Sequence, residues 1–196
     1  MKKICVLAGI LISLVVTGLM VHAKQSKMQQ DLAEEVFRFH VLANSDSEED
    51  QALKMQVKEA VIAYMKEEIP ESDSVETTKE WARSHLDAIV TLAEAIIMEK
   101  GYTYEVMAEV TTCDFPEKTY GDITFPAGEY EALRIEIGEA RGQNWWCVLY
   151  PNLCFIDAVH AVVPEEGKKD LKNVLEEDTY EMVTATTRFR IGWFFF

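Results

Sequence analysis

The sequence predicts an α+β fold: one domain with an antiparallel or mixed sheet, on one face of which two long helices and a third, C-terminal helix pack. The predicted elements follow the order β-α-α-β-β-β-α-β, with hairpins and a single obvious crossover, as in α+β proteins. The chain has 196 residues, 48% of them hydrophobic, which suits one domain with a substantial core. No internal repeat or second boundary is visible, so the domain is assigned to residues 36–196.

Residues 1–23 form a predicted export segment. Lys2 and Lys3 precede a long apolar run, and small residues at Val21 and Ala23 match the pattern that a signal peptidase recognises. We expect cleavage after Ala23. An uncleaved membrane anchor is the alternative, because the run is long for a signal peptide. Either way the polar body lies beyond the cytoplasmic membrane, behind a polar spacer at residues 24–35.

The first strand and the two long helices follow directly. Apolar residues alternate over 36–43, which predicts a half-buried strand with His40 on its solvent face. Ser47 is the predicted N-cap of a helix that ends near Glu68. A second, longer helix is expected over residues 77–100, where Gly101 ends it.

Apolar and polar residues alternate again in the second half of the chain. Strands are predicted at residues 102–112, 130–138 and 145–150, the last two forming a hairpin. A helix is expected at residues 165–178 and a last strand at 183–191. The apolar tail at 193–196 has no assignment.

Composition and spacing argue against several kinds of site. The net charge of −15 disfavours binding to nucleic acid or to an anionic lipid surface. The four histidines include no pair at ligand spacing, and no phosphate-binding glycine loop is present, so we predict neither a metal nor another cofactor. Contact with a membrane is expected only through the N-terminal segment, if it is uncleaved.

The most distinctive string covers residues 144–155, NWWCVLYPNLCF. One hypothesis makes Cys147 the nucleophile of a cysteine-dependent cell-envelope hydrolase, but the string offers no clear base. The other joins Cys147 to Cys154 in a disulfide across the Pro151-Asn152 turn and leaves Cys113 free. Buried, reduced thiols are a further alternative. Trp145 and Trp146 should point to opposite faces of a strand.

Three segments together resemble the stage II sporulation protein R family: residues 37–54, residues 125–139 and residues 142–155. The resemblance covers about residues 36–157 in order. It implies a secreted, non-enzymatic signal, made in the forespore and exported into the space between the forespore and mother-cell membranes. Its implied partner is a membrane-embedded aspartic protease of the mother cell, which cleaves the precursor of the early mother-cell sigma factor. The family does not lead us to expect the Trp193–Phe196 tail.

The partner surface is expected on loops at strand ends. We predict that alanine at Asn44, Asp46 or Asn144 reduces signalling without unfolding the chain. The full set of candidate partner-binding residues is Asn44, Asp46, Asn144, Trp145, Trp146, Tyr150, Phe155 and Asp157.

Overall fold

The described part of the chain forms an α+β fold around a four-stranded mixed sheet. The computed structural model describes residues 2–70, 74–154, 163 and 165–185, with residues 2–9 as backbone only. In chain order the elements are α1 (Lys2–Glu35), β1 (Phe37–Leu42), α2 (Glu48–Glu68), α3 (Val75–Ser84), α4 (Leu86–Glu99), β2 (Val106–Phe115), β3 (Lys118–Tyr120), β4 (Ile123–Phe125), β5 (Gly128–Ile137), β6 (Asn144–Tyr150), α5 (Glu165–Val174) and α6 (Glu177–Thr184).

The strand order of the sheet is β2-β5-β1-β6. β1 runs parallel to β5 and antiparallel to β6, and β2 pairs antiparallel with β5. Strands β3 and β4 form a separate two-stranded hairpin. The predicted hairpin of β5 with β6 is wrong, because β1 lies between them. Apolar alternation gives the faces of a strand but not its neighbours.

The first face of the sheet is covered by α2, α3 and α4. The long helix predicted over residues 77–100 is interrupted at His85, which separates α3 from α4. The Ser84 hydroxyl lies 2.8 Å and the His85 Nδ1 2.7 Å from the Trp81 carbonyl oxygen. Such side-chain bonds compete with the helical ladder for the carbonyl. The core on this face includes Phe37, Phe39, Val41, Leu53, Val57, Val61, Ile89, Ala93, Ile97, Leu133 and Ile135.

The second face is covered by the end of α1, the β3–β4 hairpin, α5 and α6. The helices therefore lie on both faces rather than on the one that was expected. Asp122 joins the hairpin to α5, accepting a hydrogen bond from the Val163 amide at 3.0 Å and pairing with Lys168 at 2.7 Å. The core here includes Leu32, Val36, Phe115, Ile123, Phe125, Tyr130, Val148, Leu171 and Val183.

The two ends of the chain depart from the predicted elements. Residues 24–35 continue α1, and Leu32 is fully buried. The single helix predicted at 165–178 is two helices, and α6 extends over Val183, where the last strand was predicted to begin. The remainder of that strand and the 193–196 tail lie outside the described residues.

The apolar part of α1 projects from the body. Its large side chains between Ile10 and Val21 are exposed. Within the residues that the structure describes, no helix is long and apolar enough to cross a membrane.

Candidate functional site

Two loops meet beyond the carboxyl ends of the parallel central strands β1 and β5. We call residues 43–47 and 138–143 the paired loops. Their backbones join directly: the Gly142 amide donates to the Ala43 carbonyl at 2.9 Å, and the Arg141 amide to the Asn44 carbonyl at 3.2 Å. Carboxyl ends of neighbouring parallel strands are where ligand sites of α/β sheets form, and β6 begins at the same end of the sheet with Asn144.

Asn44 holds the paired loops together through its side chain. Its Nδ2 donates to Asp50 Oδ2 at 2.8 Å, and its Oδ1 accepts from the Glu139 amide at 3.0 Å. Gly138, at φ 58°, passes so close that an added Cβ would lie 2.4 Å from Asn44 Oδ1. Asn44 is therefore an internal connector, and its amide is committed within the chain.

Asp50 is the buried centre of this hydrogen-bond network. Burial alone would raise the pKa of its carboxyl, but hydrogen bonds from Ser45, Asn44, Tyr104 and Ser47 outweigh that effect and hold the pKa below its ordinary value. The Ser45 hydroxyl donates to Asp50 Oδ2 at 2.5 Å, and the Asp50 amide donates to the Ser47 hydroxyl at 3.1 Å. Ser47 is thus the N-cap of α2, as predicted.

The second loop is tied to the first loop and to α2 by two further contacts. The Gln143 amide donates to Asp46 Oδ1 at 2.7 Å, and Lys54 Nζ donates to the Gln143 carbonyl at 2.8 Å. Burial lowers the pKa of the Lys54 ammonium. Hydrogen bonds thus cross-link the paired loops on the inside. On the outside the loops present Asp46, Ser47, Glu139, Arg141 and Gln143 to solvent.

Trp145 and Trp146 lie on opposite faces of β6, as expected, and both are half-buried. Trp145 meets Phe39 on the first face with ring centroids 5.6 Å apart, and Lys58 Nζ lies 5.1 Å from its ring. Trp146 stacks on His40 at 4.8 Å on the second face. Each ring is therefore partly covered by the protein and partly exposed to solvent.

The turn after β6 carries the predicted disulfide. Cys147 and Cys154 are bonded, with Cα atoms 5.6 Å apart, and Cys113 is free. Tyr150 precedes a cis Pro151 and lies in the first core at 6% exposure. The candidates Phe155 and Asp157 lie outside the described residues.

The structure also shows a buried polar cluster that the sequence does not predict. His40, expected on the surface, is 3% exposed, because β1 is a central strand with both faces covered. Its Nε2 lies 3.4 Å from Cys113 Sγ. Burial first, and then the charges of Arg134 and Arg38, lower the pKa of His40 to about 4. Burial raises the pKa of the Cys113 thiol, so the two groups face each other uncharged at neutral pH.

Arg38 lies beside His40 on the same face of β1 and is fully buried. Its Nε donates to the Cys147 carbonyl at 3.1 Å, and its Nη2 to the Tyr120 hydroxyl at 3.2 Å. The guanidinium also lies 4.3 Å from the centre of the Phe115 ring. The only sequence signal for this cluster is the polar alternation of β1, which predicted solvent exposure.

No part of the described chain gathers three or more His, Cys, Asp or Glu side chains in a group that could hold a metal ion. What the structure places here is a hydrogen-bonded loop surface beside two half-buried tryptophans.

Comparison with known proteins points to one family. The family model described as stage II sporulation protein R matches residues 33–160. A curated protein described as stage II sporulation protein R, from Bacillus subtilis (strain 168), is 34% identical over 192 residues, covering 94% of this chain and 86% of the relative. No solved structure matches the chain. The matched region contains the paired loops, strand β6 with its two tryptophans, and the disulfide.

Proposed function

Because the chain belongs to the stage II sporulation protein R family, we propose that it is a non-enzymatic extracytoplasmic signal that activates a membrane-embedded aspartic protease of the mother cell. That protease then processes the precursor of the early mother-cell sigma factor. The family assignment supports a role in sporulation. In our proposal the chain is exported into the space between the forespore and mother-cell membranes and meets its partner there.

The observation that carries this proposal is the construction of the paired loops. Two segments about 95 residues apart in the chain meet where β1 and β5 end, and hydrogen bonds of Asn44, Asp46 and Lys54 to the second loop join them. A surface that is ordered before binding loses little conformational entropy on binding. The exposed groups of this surface, with Asp46 and Arg141 among them, are the expected contacts.

The alternative, a hydrolase that uses Cys147, requires a free thiolate. In this structure the Cys147 sulfur is bonded to Cys154, which favours the signal over the thiol enzyme. Serine at both positions separates the two hypotheses: a signal remains active, whereas a thiol hydrolase loses all activity.

The proposal is tested in sporulating cells by following cleavage of the sigma-factor precursor on immunoblots. Deletion of the gene should leave the precursor uncleaved, and the wild-type chain should restore cleavage. Arg141→Glu should slow cleavage because it reverses an exposed charge at the centre of the paired loops. Lys66→Glu is the matched control, since it makes the same charge change at an exposed position near the end of α2.

Normal precursor cleavage in the deletion strain would refute the proposed function. Equal effects of Arg141→Glu and Lys66→Glu would leave the role of a signal in place but remove the paired loops as its contact surface.

A further inference from the structure

We propose that the outer edge of β2 is a docking site for an extended, basic segment of the partner protein, which adds to the sheet as a fifth strand. The inference rests on the proposed function, because the partner is the protein that the signal activates. It names a second surface, distinct from the paired loops, and the chemistry of the segment that fits it.

β2 is a long and regular edge strand. Its ten residues pair with β5 without a register shift, from Val106 opposite Ile137 to Phe115 opposite Gly128. It contains no proline, lysine or bulge, which are among the devices that protect an edge from further strand pairing, and its charged residues are Glu109 and Asp114. A long strand in regular register is a template for another strand.

The phase of the β2–β5 ladder shows which backbone groups face outward. The Gly138 amide donates to the Glu105 carbonyl at 2.9 Å, so the odd-numbered residues of β2 direct their backbone groups to β5. The even-numbered residues direct theirs away from the sheet. Within the described chain, the backbone N–H and C=O groups of these outward-facing residues form no hydrogen bond. The residues are Val106, Ala108, Val110, Thr112 and Asp114.

β6, the strand at the opposite edge of the sheet, is partly covered by its own chain. β6 is followed by a turn that folds back on it, and the Cys154 amide donates to the Val148 carbonyl at 3.0 Å. The Cys147–Cys154 disulfide fixes that turn in place. β6 is therefore partly occupied by its own chain, and among the residues that the structure describes β2 is the more accessible edge.

Charge defines the segment that fits β2. The strand carries Glu109 and Asp114 and no basic residue, and the chain as a whole has a net charge of −15. Pairing with a second copy would bring two strongly acidic bodies together, which repulsion disfavours. Glu109 pairs with Arg134 of β5 at 3.4 Å, and its side chain is still 44% exposed. A Lys or Arg of the added segment would therefore meet the outer side of the same carboxylate, where its charge is complementary.

The two faces of β2 define the other positions of the segment. On the first face Val106, Ala108 and Val110 are half-buried against the core beneath the helices. On the second face Met107 is 58% exposed. A strand placed beside β2 extends both surfaces, so the best fit alternates aliphatic residues toward the first face with basic residues toward the second.

Amide hydrogen exchange of the full chain, resolved by residue, tests the edge directly. In the free protein the amides of the even-numbered β2 residues should exchange fast and those of the odd-numbered residues slowly. The probe is a peptide of about nine residues that alternates Val with Lys, and the control peptide has Glu in place of Lys. The Lys peptide should protect the even-numbered amides, whereas the Glu peptide should not.

Two results of this experiment would overturn the inference. Slow exchange of the even-numbered amides in the free protein would mean that another part of the chain, or a second copy, already occupies the edge. If neither peptide protects these amides, β2 is not a docking edge. If both peptides protect them equally, the edge has no preference for a basic segment.

Sporulating cells provide the second test. Thr112→Pro removes an outward amide without breaking the bonds to β5, because proline is tolerated where its nitrogen faces away from the sheet. We expect cleavage of the sigma-factor precursor to slow about tenfold. Thr112→Val keeps the amide and is the matched control, with cleavage near the wild-type rate. Folding of both variants is checked by circular dichroism.

The outcomes separate this inference from the proposed function. If deletion blocks precursor cleavage but Thr112→Pro is folded and fully active, the edge inference is wrong and the signal function stands. If deletion has no effect, the proposed function fails, and the peptide experiment still decides whether the edge accepts a strand.

Discussion

Arg38 and His40 are neighbouring buried bases on one face of β1, and each shapes the chemistry of the other. In the described part of the chain no carboxylate pairs with Arg38, so its charge is balanced by the Cys147 carbonyl, Tyr120 and the rings of Phe115, Phe125 and Tyr130. A second positive charge beside it is unfavourable, which is one reason that His40 stays neutral.

Acid should destabilise the protein through His40. Its pKa is about 4 in the folded chain and about 6.5 when unfolded. Between these values the unfolded state binds a proton that the folded state does not, so stability falls as pH decreases from 6.5 to 4, by about 3 kcal/mol in total. Arg38, Arg134 and Cys113 are the titratable groups around it. Urea unfolding across this pH range measures the effect.

His40→Phe is the control for this prediction, because it preserves a ring beside Trp146 and cannot titrate. Its stability should change little between pH 6.5 and 5.5, above the range in which Asp and Glu carboxylates take up protons. A wild-type chain with the same flat profile would show that His40 titrates normally.

Gly142 is required where the paired loops cross. A Cβ at this position would lie 2.1 Å from the Ser45 carbonyl oxygen, which is backbone and cannot rotate away. Gly142→Ala should therefore destabilise the protein by about 2 kcal/mol or more. Gly101→Ala is a useful comparison, because Gly101 has open space around it but a φ of 84°, and should cost about 1 kcal/mol from backbone strain. Equal effects in urea unfolding would argue against the steric conflict.

At the scale of elements, β1 shows both the strength and the limit of sequence patterns. Its alternation correctly predicts a strand and places Phe37, Phe39 and Val41 in the core. The same alternation wrongly predicts solvent exposure for His40, since polar residues on a central strand can be buried when hydrogen bonds and aromatic rings surround them. Which strands are central depends on pairing between distant segments, and no local pattern contains that information.

The paired loops could be predicted only in part. Strand ends and residue types indicated Asn44 and Asp46 as surface candidates, whereas the structure assigns the Asn44 side chain to internal bonds and leaves Asp46 exposed. Glu139 and Arg141 were missed, because their role depends on β5 ending beside β1. The parallel pairing of these two strands brings together segments that are about 95 residues apart in the chain.

The disulfide fixes the shape of the turn after β6 and also contributes to global stability. Cys147 and Cys154 are seven positions apart, and a loop this short contributes about 2–3 kcal/mol in the chain-entropy model. Serine at both positions should lower the free energy of unfolding by that amount and leave signalling in place. Cys113→Ser should preserve the bridge. Non-reducing mass spectrometry of the exported chain checks the pairing, and a bridge that includes Cys113 would contradict it.

At the scale of the whole molecule, the sheet separates two cores, and the second one includes part of α1. Leu32 is fully buried there, and Lys24 at the start of this stretch pairs with Asp178 of α6 at 2.7 Å. The segment that composition identifies as a polar spacer thus contributes to the fold. The second face of the sheet explains why: α5 and α6 are short, and a sheet that is buried on both faces needs an apolar cover on each.

Alanine substitutions of two leucines in α1 compare its buried part with its exposed part. Leu32→Ala removes buried apolar volume next to the sheet and should lower the free energy of unfolding by about 3 kcal/mol. Leu19→Ala should have no measurable effect, because Leu19 is 65% exposed. Both are compared with the wild-type chain by urea unfolding. Equal stabilities would show that α1 does not pack on the body. The expected difference would place the part of α1 on which the second core depends after Ala23, the predicted cleavage site.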